Sequence, residues 1–273
     1  MFECVINISE GRDVAALDEL AAAASNSLRD VHSDARHHRS VFTLIDEPDP
    51  LVAHVHALID AAYGRLDLRG HAGVHPRFGV VDVVPFVALE PACADEARAL
   101  RDDLARWLAS AHQVPVFLYG TLEDGTVRTL PEVRRRAFTS LVPDVGPPAP
   151  SPARGAVAVG ARAPLVAWNL WLSGTTLDEA RAIARALRRP ALRVLAFDLG
   201  GPVQVSCNIV DTDSLQPSQV YDEVAAMLAS GGAIDRAELV GLVPGAVLER
   251  EDPARWAQLG LSPEATIEAR LAR

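Results

Sequence analysis

Short apolar runs alternate with stretches of helical periodicity along most of the chain, the pattern of a mixed α/β protein. Residues 3–9 read as a strand with Asn7 inside it, closed by Glu10-Gly11. Asp13 caps a helix to about residue 28, with Leu17, Leu20, Ala21 and Ala24 at helical spacing. The stretch 30–40 is polar and reads as irregular, and 41–46 is the next strand. Pro48 opens a helix to about residue 63 with Leu51, Val55, Leu58 and Ile59 on one face. His54 and His56 sit on it two apart, on different sides, and read as surface or packing residues. Then come a glycine-rich loop, a strand over 80–89, a helix over 94–111, a strand over 114–119 and a short basic helix from 131 to 136. Residues 143–155 hold five prolines and two glycines, which reads either as an interdomain linker or as a rigid binding loop.

The last third is the most regular. Strands over 165–171, 192–199, 202–210 and 237–243 and helices over 177–188 and 217–230 give the order βαββαβ, the ferredoxin-like split unit. A final helix is expected near 263–272. Gly200-Gly201 marks the central hairpin. The first half looks like an elaborated copy, since Val5-Ile6-Asn7-Ile8-Ser9 and Ala167-Trp168-Asn169-Leu170-Trp171 each open their half as a strand around an Asn. The expected fold is therefore α+β: two ferredoxin-like α/β subdomains, 1–163 and 164–273, with a ligand cleft between them. Asn7 and Asn169 either bond to neighbouring backbone or touch a ligand.

Composition narrows the chemistry. At 273 residues and 49% hydrophobic, the chain buries a substantial core. A formal net charge of -10 argues against a nucleic-acid backbone as partner. The 26 basic residues are all arginine, which excludes a lysine Schiff base and a P-loop lysine. Cys4, Cys93 and Cys207 are too scattered for a disulfide framework or structural zinc site, and the expected compartment is the cytoplasm. No leader or membrane span is expected.

The chemistry concentrates in Gly70-His71-Ala72-Gly73-Val74-His75-Pro76-Arg77-Phe78-Gly79, which runs straight into an apolar strand. Glycine and proline at this density make a loop, and a loop on a buried strand presents polar groups to a ligand. His71 and His75 have metal-ligand spacing only on a helix, which the glycines and proline oppose, so no metal is expected. His75 is the better candidate for a general base, because Pro76 fixes the backbone and the Arg77 charge favours the neutral imidazole. Asp82 either orients an imidazole or lies on the surface. There is no G-x-S-x-G elbow and no G-x-G-x-x-G after a strand.

With these residues in view, the chain resembles the glutamate formiminotransferase family. Matching pieces run in order: Glu3-Cys4-Val5 with Asn7 and Ser9-Glu10-Gly11; Arg39-Ser40-Val41; His71, Gly73 and His75-Pro76-Arg77; Val114-Pro115-Val116; Arg128-Thr129-Leu130-Pro131; Gly146-Pro147; Asn169; Gln204-Val205-Ser206 with Asn208; and Leu239-Val240-Gly241-Leu242-Val243-Pro244. The resemblance implies a cytoplasmic enzyme of histidine and one-carbon metabolism, acting on small molecules, not nucleic acid or membrane. It would transfer the formimino group of N-formimino-L-glutamate to N5 of tetrahydrofolate, the co-substrate, with no metal. It implies a homodimer, with His75 as base and folate between two ferredoxin-like subdomains. The implied folate segment is Gly146, Pro147, Pro148, Ala149, Pro150, Ser151, Pro152, Ala153, Arg154 and Gly155, with a second contact at Arg189, Pro190 and Ala191. Arg39 and Arg77 are candidates to hold carboxylates of the glutamate or folate. Asp34, His71, Asn7, Asn169 and Asn208 are supporting candidates.

The chain departs from the family where Pro148, Ala149 and Arg154 replace serines and an aromatic. It departs again where His38 replaces an Asn, and where His32 replaces an acidic residue, for which Asp34 is the substitute. No cyclodeaminase portion is recognised. A divergent non-catalytic folate- or anion-binding paralogue, or a transferase with another one-carbon donor, is the alternative.

Overall fold

A computed structural model describes residues 1–74 and 77–272. The chain divides into two compact units, Met1–Ala163 and Pro164–Arg273. The first is built on a seven-stranded sheet, the second on a four-stranded one.

The first unit begins β1 (Phe2–Ile8), α1 (Val14–Ala24), β2 (Leu28–Asp34), β3 (Arg39–Asp46), α2 (Pro48–Arg65) and β4 (Val81–Ala88). These four strands lie in the order β2-β3-β1-β4 with antiparallel pairing throughout. Period-two alternation sends Phe2, Cys4, Ile6 and Ile8 into a core shared with Leu20, Leu51, Val55, Leu58 and Ile59 of the helices. Glu3, Val5 and Asn7 therefore lie on the other face. Asp13 caps α1 as expected, accepting from the Ala16 N–H at 3.1 Å.

The elaboration follows: α3 (Ala94–Trp107), β5 (Val116–Thr121), β6 (Val127–Arg128), α4 (Leu130–Arg136) and β7 (Val157–Arg162). β7 pairs parallel with both β4 and β5. The second unit runs β8 (Val166–Ser173), α5 (Leu177–Leu187), β9 (Leu192–Asp198), β10 (Val203–Ile209), α6 (Pro217–Met227) and β11 (Ala233–Val240). It ends with α7 (Gly245–Glu249), α8 (Trp256–Leu259) and α9 (Ile267–Leu271). Its sheet order, β11-β8-β10-β9, repeats the arrangement of β4-β1-β3-β2, so both units hold the same split βαββαβ core and the α+β fold is as expected. A capping box between Thr176 and Glu179 starts α5. Val166, Trp168, Leu170 and Leu172 point into the core, where the Trp168 indole donates to the Leu259 carbonyl at 2.7 Å.

Four expectations need correction. Residues 30–40 are not irregular: β2 is an edge strand, polar because one face meets solvent, so its composition mimics a loop. The proline-rich stretch is not an interdomain linker, because the chain returns from it into the first unit's sheet as β7. The helix from residue 94 ends at Trp107 and passes through a wider turn, Leu108–His112, stopped by Gln113 in the left-handed conformation. The final helix is only the short α9, after a 3-10 turn at Pro263–Ala265.

Among the described residues no helix is long and apolar enough to cross a membrane.

Candidate functional site

β1 and β2 finish, and β3, β4 and β7 begin, at one end of the first unit's sheet. Glu10, the turn after Asp34, the loop 68–80 and the segment 146–155 meet there. His75 and Pro76 lie outside the described residues.

A register slip creates the centre of this site. Asn7 pairs with Val83 but Ile8 pairs with Val81, which leaves Asp82 without a counterpart on β1. A bulge re-aims the side chain that it carries. Asp82, only 1% exposed, accepts from the Phe78 N–H at 2.6 Å and from Arg134 at 2.5 Å, and pairs with Arg39 at 3.1 Å. Asp82 is therefore not a surface residue. Arg39 also donates through Nε (3.1 Å) and Nη2 (2.6 Å) to Asn7 Oδ1, while Asn7 Nδ2 donates to the Val5 carbonyl at 3.2 Å. Burial pulls the Arg39 guanidinium down to about 10, against the opposing pull of Asp82. Both ends of the Asn7 amide thus have partners within the fold.

The loop itself is anchored by His71. Its Nε2 donates to the His38 carbonyl at 3.0 Å and its Nδ1 accepts from Arg77, which fixes the neutral tautomer. Arg77 also donates to the Gly73 carbonyl at 2.5 Å. Burial first, then the charges of His38 and Arg77, hold the His71 imidazole down to about 4. The His38 ring stacks on it, centroids 3.9 Å apart and planes 12° apart. Burial pushes the Glu10 carboxyl up, but the N–H groups of Asp13, Arg12 and Gly11, together with His38, bring it below the usual range. Phe78 packs its ring against Phe117 and Phe138, two aromatics that the loop reading did not include.

The segment 146–155 lies beside the loop in the same unit. Ser151 and Gly155 exchange both backbone hydrogen bonds, and the Ala153 carbonyl accepts from Leu68, the Arg154 carbonyl from Val80. Arg154 donates to the His112 carbonyl at 2.8 Å and lies over the Tyr63 ring. Pro147, Ser151 and Ala153 are half-buried, while Gly146, Pro148, Ala149, Pro150 and Pro152 form an exposed rim. Gly155 sits at φ +73°, and a Cβ there would come within 2.4 Å of the Phe78 carbonyl oxygen. Gly125 has a similar φ of +80° with nothing within 4 Å. Gly125→Ala thus isolates the backbone cost, and Gly155→Ala is expected to lose about 1–3 kcal/mol more than that control in urea unfolding.

The other expected residues have partners of their own. The Asp34 carboxylate accepts from the Arg36 and His37 N–H groups and so shapes the β2–β3 turn. In the second unit Arg189 makes a two-pronged ion pair with Glu223 at 2.7 and 2.8 Å, next to Pro190 and Ala191. Asn169 faces Glu238 at 3.4 Å, and Asn208 is exposed on β10. His54 bonds Ser27, His56 stacks on Trp107 and His112 pairs with Asp60, packing roles for three other histidines.

Glu10, His38 and Arg134 were not among the expected site residues. Arg134 sits in the run Arg134-Arg135-Arg136, and nothing local distinguishes it from its neighbours. The guanidinium groups of Arg39, Arg77 and Arg134 share the field of one buried carboxylate, a balance that suits an anionic ligand. Among the described residues no group of three or more His, Cys, Asp or Glu side chains is gathered as a metal site requires.

The N-terminal subdomain of the formiminotransferase domain matches residues 1–162. The glutamate formimidoyltransferase of Streptococcus pyogenes serotype M1 is 31% identical over 272 residues, covering 90% of each chain. That of Thermoplasma acidophilum is 32% identical over 268 residues, covering 89% of this chain and 88% of its own. The formimidoyltransferase-cyclodeaminase of Rattus norvegicus is 31% identical over 272 residues, 89% of this chain but 50% of the rat protein. With one match over more than half its length and relatives aligned along about nine-tenths of it, the chain belongs to the formiminotransferase family.

Proposed function

We propose that this protein transfers the formimino group of N-formimino-L-glutamate to N5 of tetrahydrofolate. One observation carries the reading: relatives named glutamate formimidoyltransferase align with nine-tenths of the chain and nearly all of their own length. In the proposed reaction the N5 lone pair attacks the formimino carbon. The N5 proton passes to His75, which returns it to the departing glutamate nitrogen as the old C–N bond breaks. Arg39, paired with the buried Asp82, and Arg77, bonded to His71 and the Gly73 carbonyl, supply positive charge for the carboxylates of the donor or the folate. The segment 146–155 and Arg189, Pro190 and Ala191 contact the folate. The units Met1–Ala163 and Pro164–Arg273 serve as the two transferase subdomains, and the protein works in the cytoplasm as a homodimer, without a metal.

The test is a transfer assay on the purified chain, reading tetrahydrofolate-dependent consumption of formiminoglutamate by mass spectrometry, beside calorimetric binding of each substrate. Turnover is expected. Folate binding without turnover would favour a non-catalytic paralogue, and binding of neither ligand would sink the reading.

A further inference from the structure

His38 occupies a costly position. Its φ is +51°, a left-handed conformation that side chains other than Asn, Asp and His rarely take. Such strain persists where surrounding contacts over-determine the residue. Here the side chain makes several of them. Nδ1 faces the Ala72 carbonyl at 3.1 Å and Nε2 faces Glu10 Oε1 at 3.0 Å. Both ring nitrogens meet acceptors, a pattern that only the doubly protonated ring satisfies. The stacked His71 is the neutral partner, with its Nδ1 filled by Arg77 and its Nε2 by the His38 carbonyl. The loop is pressed onto this turn, since a Cβ on Gly73 would lie 2.5 Å from the His37 carbonyl oxygen and 2.9 Å from His38 Cβ.

We propose that His38 is a positioning residue for formimino transfer: clamped between Glu10 and Ala72 and stacked on His71, it fixes the stretch His71-Ala72-Gly73-Val74 that leads into His75. The proposal rests on the function proposed above. Among the described residues, the titratable groups that touch the ring are Glu10 on the stretch after β1 and His71 on the loop. Arg77 stands behind His71, and His37 and Arg39 flank His38 in the chain.

His38→Asn keeps a residue suited to the left-handed turn but loses the charge and the stack, and His38→Ala loses every side-chain contact. Both variants of the full chain are expected to lower kcat about ten- to a hundredfold, with the tetrahydrofolate dissociation constant within about twofold. Independently of turnover, ring NMR should find His71 titrating near about 4 in the wild type and moving up toward the ordinary 6.5 in both variants. Wild-type kcat in both variants, parallel collapse of folate binding and kcat, or an unmoved His71 titration would each overturn the proposal. If the wild-type chain shows no transfer at all, the functional reading fails, and the His71 titration alone decides the clamp.

Discussion

The His75→Ala variant is expected to lose about 10²–10⁴-fold in kcat while still binding tetrahydrofolate. The size follows from the reaction. Attack by N5 on the formimino carbon leaves a proton on a nitrogen that has become cationic, and collapse toward product requires one on the glutamate nitrogen. A single imidazole serves both transfers only if it starts neutral. In the sequence Pro76 and Arg77 follow His75 directly. A base that must start neutral makes activity fall as pH drops, because protonation removes it. His75→Ala should lack that low-pH fall, and added imidazole should restore part of the rate. Single-turnover kinetics separate chemistry from release. Full activity in the variant would remove His75 from the mechanism and leave the family assignment untouched.

What the sequence made legible depended on whether the determining contacts were local. The second unit was readable because its strands alternate cleanly, as in Val166, Trp168, Leu170 and Leu172, and because Thr176 with Glu179 announces α5. β2 was missed because an edge strand carrying Arg29, Asp30, His32, Ser33 and Asp34 has no apolar period. β7 was missed because prolines before it imitate a linker, and its buried parallel strand is built partly of Ala and Gly. At the site, the loop around His71 stood out because its unusual residues are contiguous. The Asp82 contact with Arg134 joins residues 52 apart, through a bulge that no local spacing announces. His38 was visible only as a departure from the family's Asn. Its role depends on a ring contact to a residue 33 positions away.

Asp82→Ala is expected to destabilise the first unit by about 3–5 kcal/mol, the range for removing one partner of a buried ion pair. Arg39, 17% exposed at its side chain, is already pulled down to about 10 by burial, with Asp82 as the group that opposes this. Arg134 and the Phe78 N–H lose the same acceptor. The cost therefore comes from three donors that lose a shared buried acceptor, not from a cavity. Asp82→Asn retains an oxygen for Phe78 but not the charge, so it should fall between wild type and Ala. The double variant Arg39→Met/Asp82→Leu removes both buried charges and should recover much of the loss, because a buried pair exchanged for apolar groups is often close to neutral. Urea midpoints across this cycle give the coupling directly. Activity should not follow stability: the double variant refolds the sheet end but leaves Phe78, the residue after Arg77, without its acceptor, so transfer stays impaired. A single Asp82→Ala loss below about 1 kcal/mol would mean that Asn7 and solvent suffice for Arg39, and that the bulge serves the loop alone.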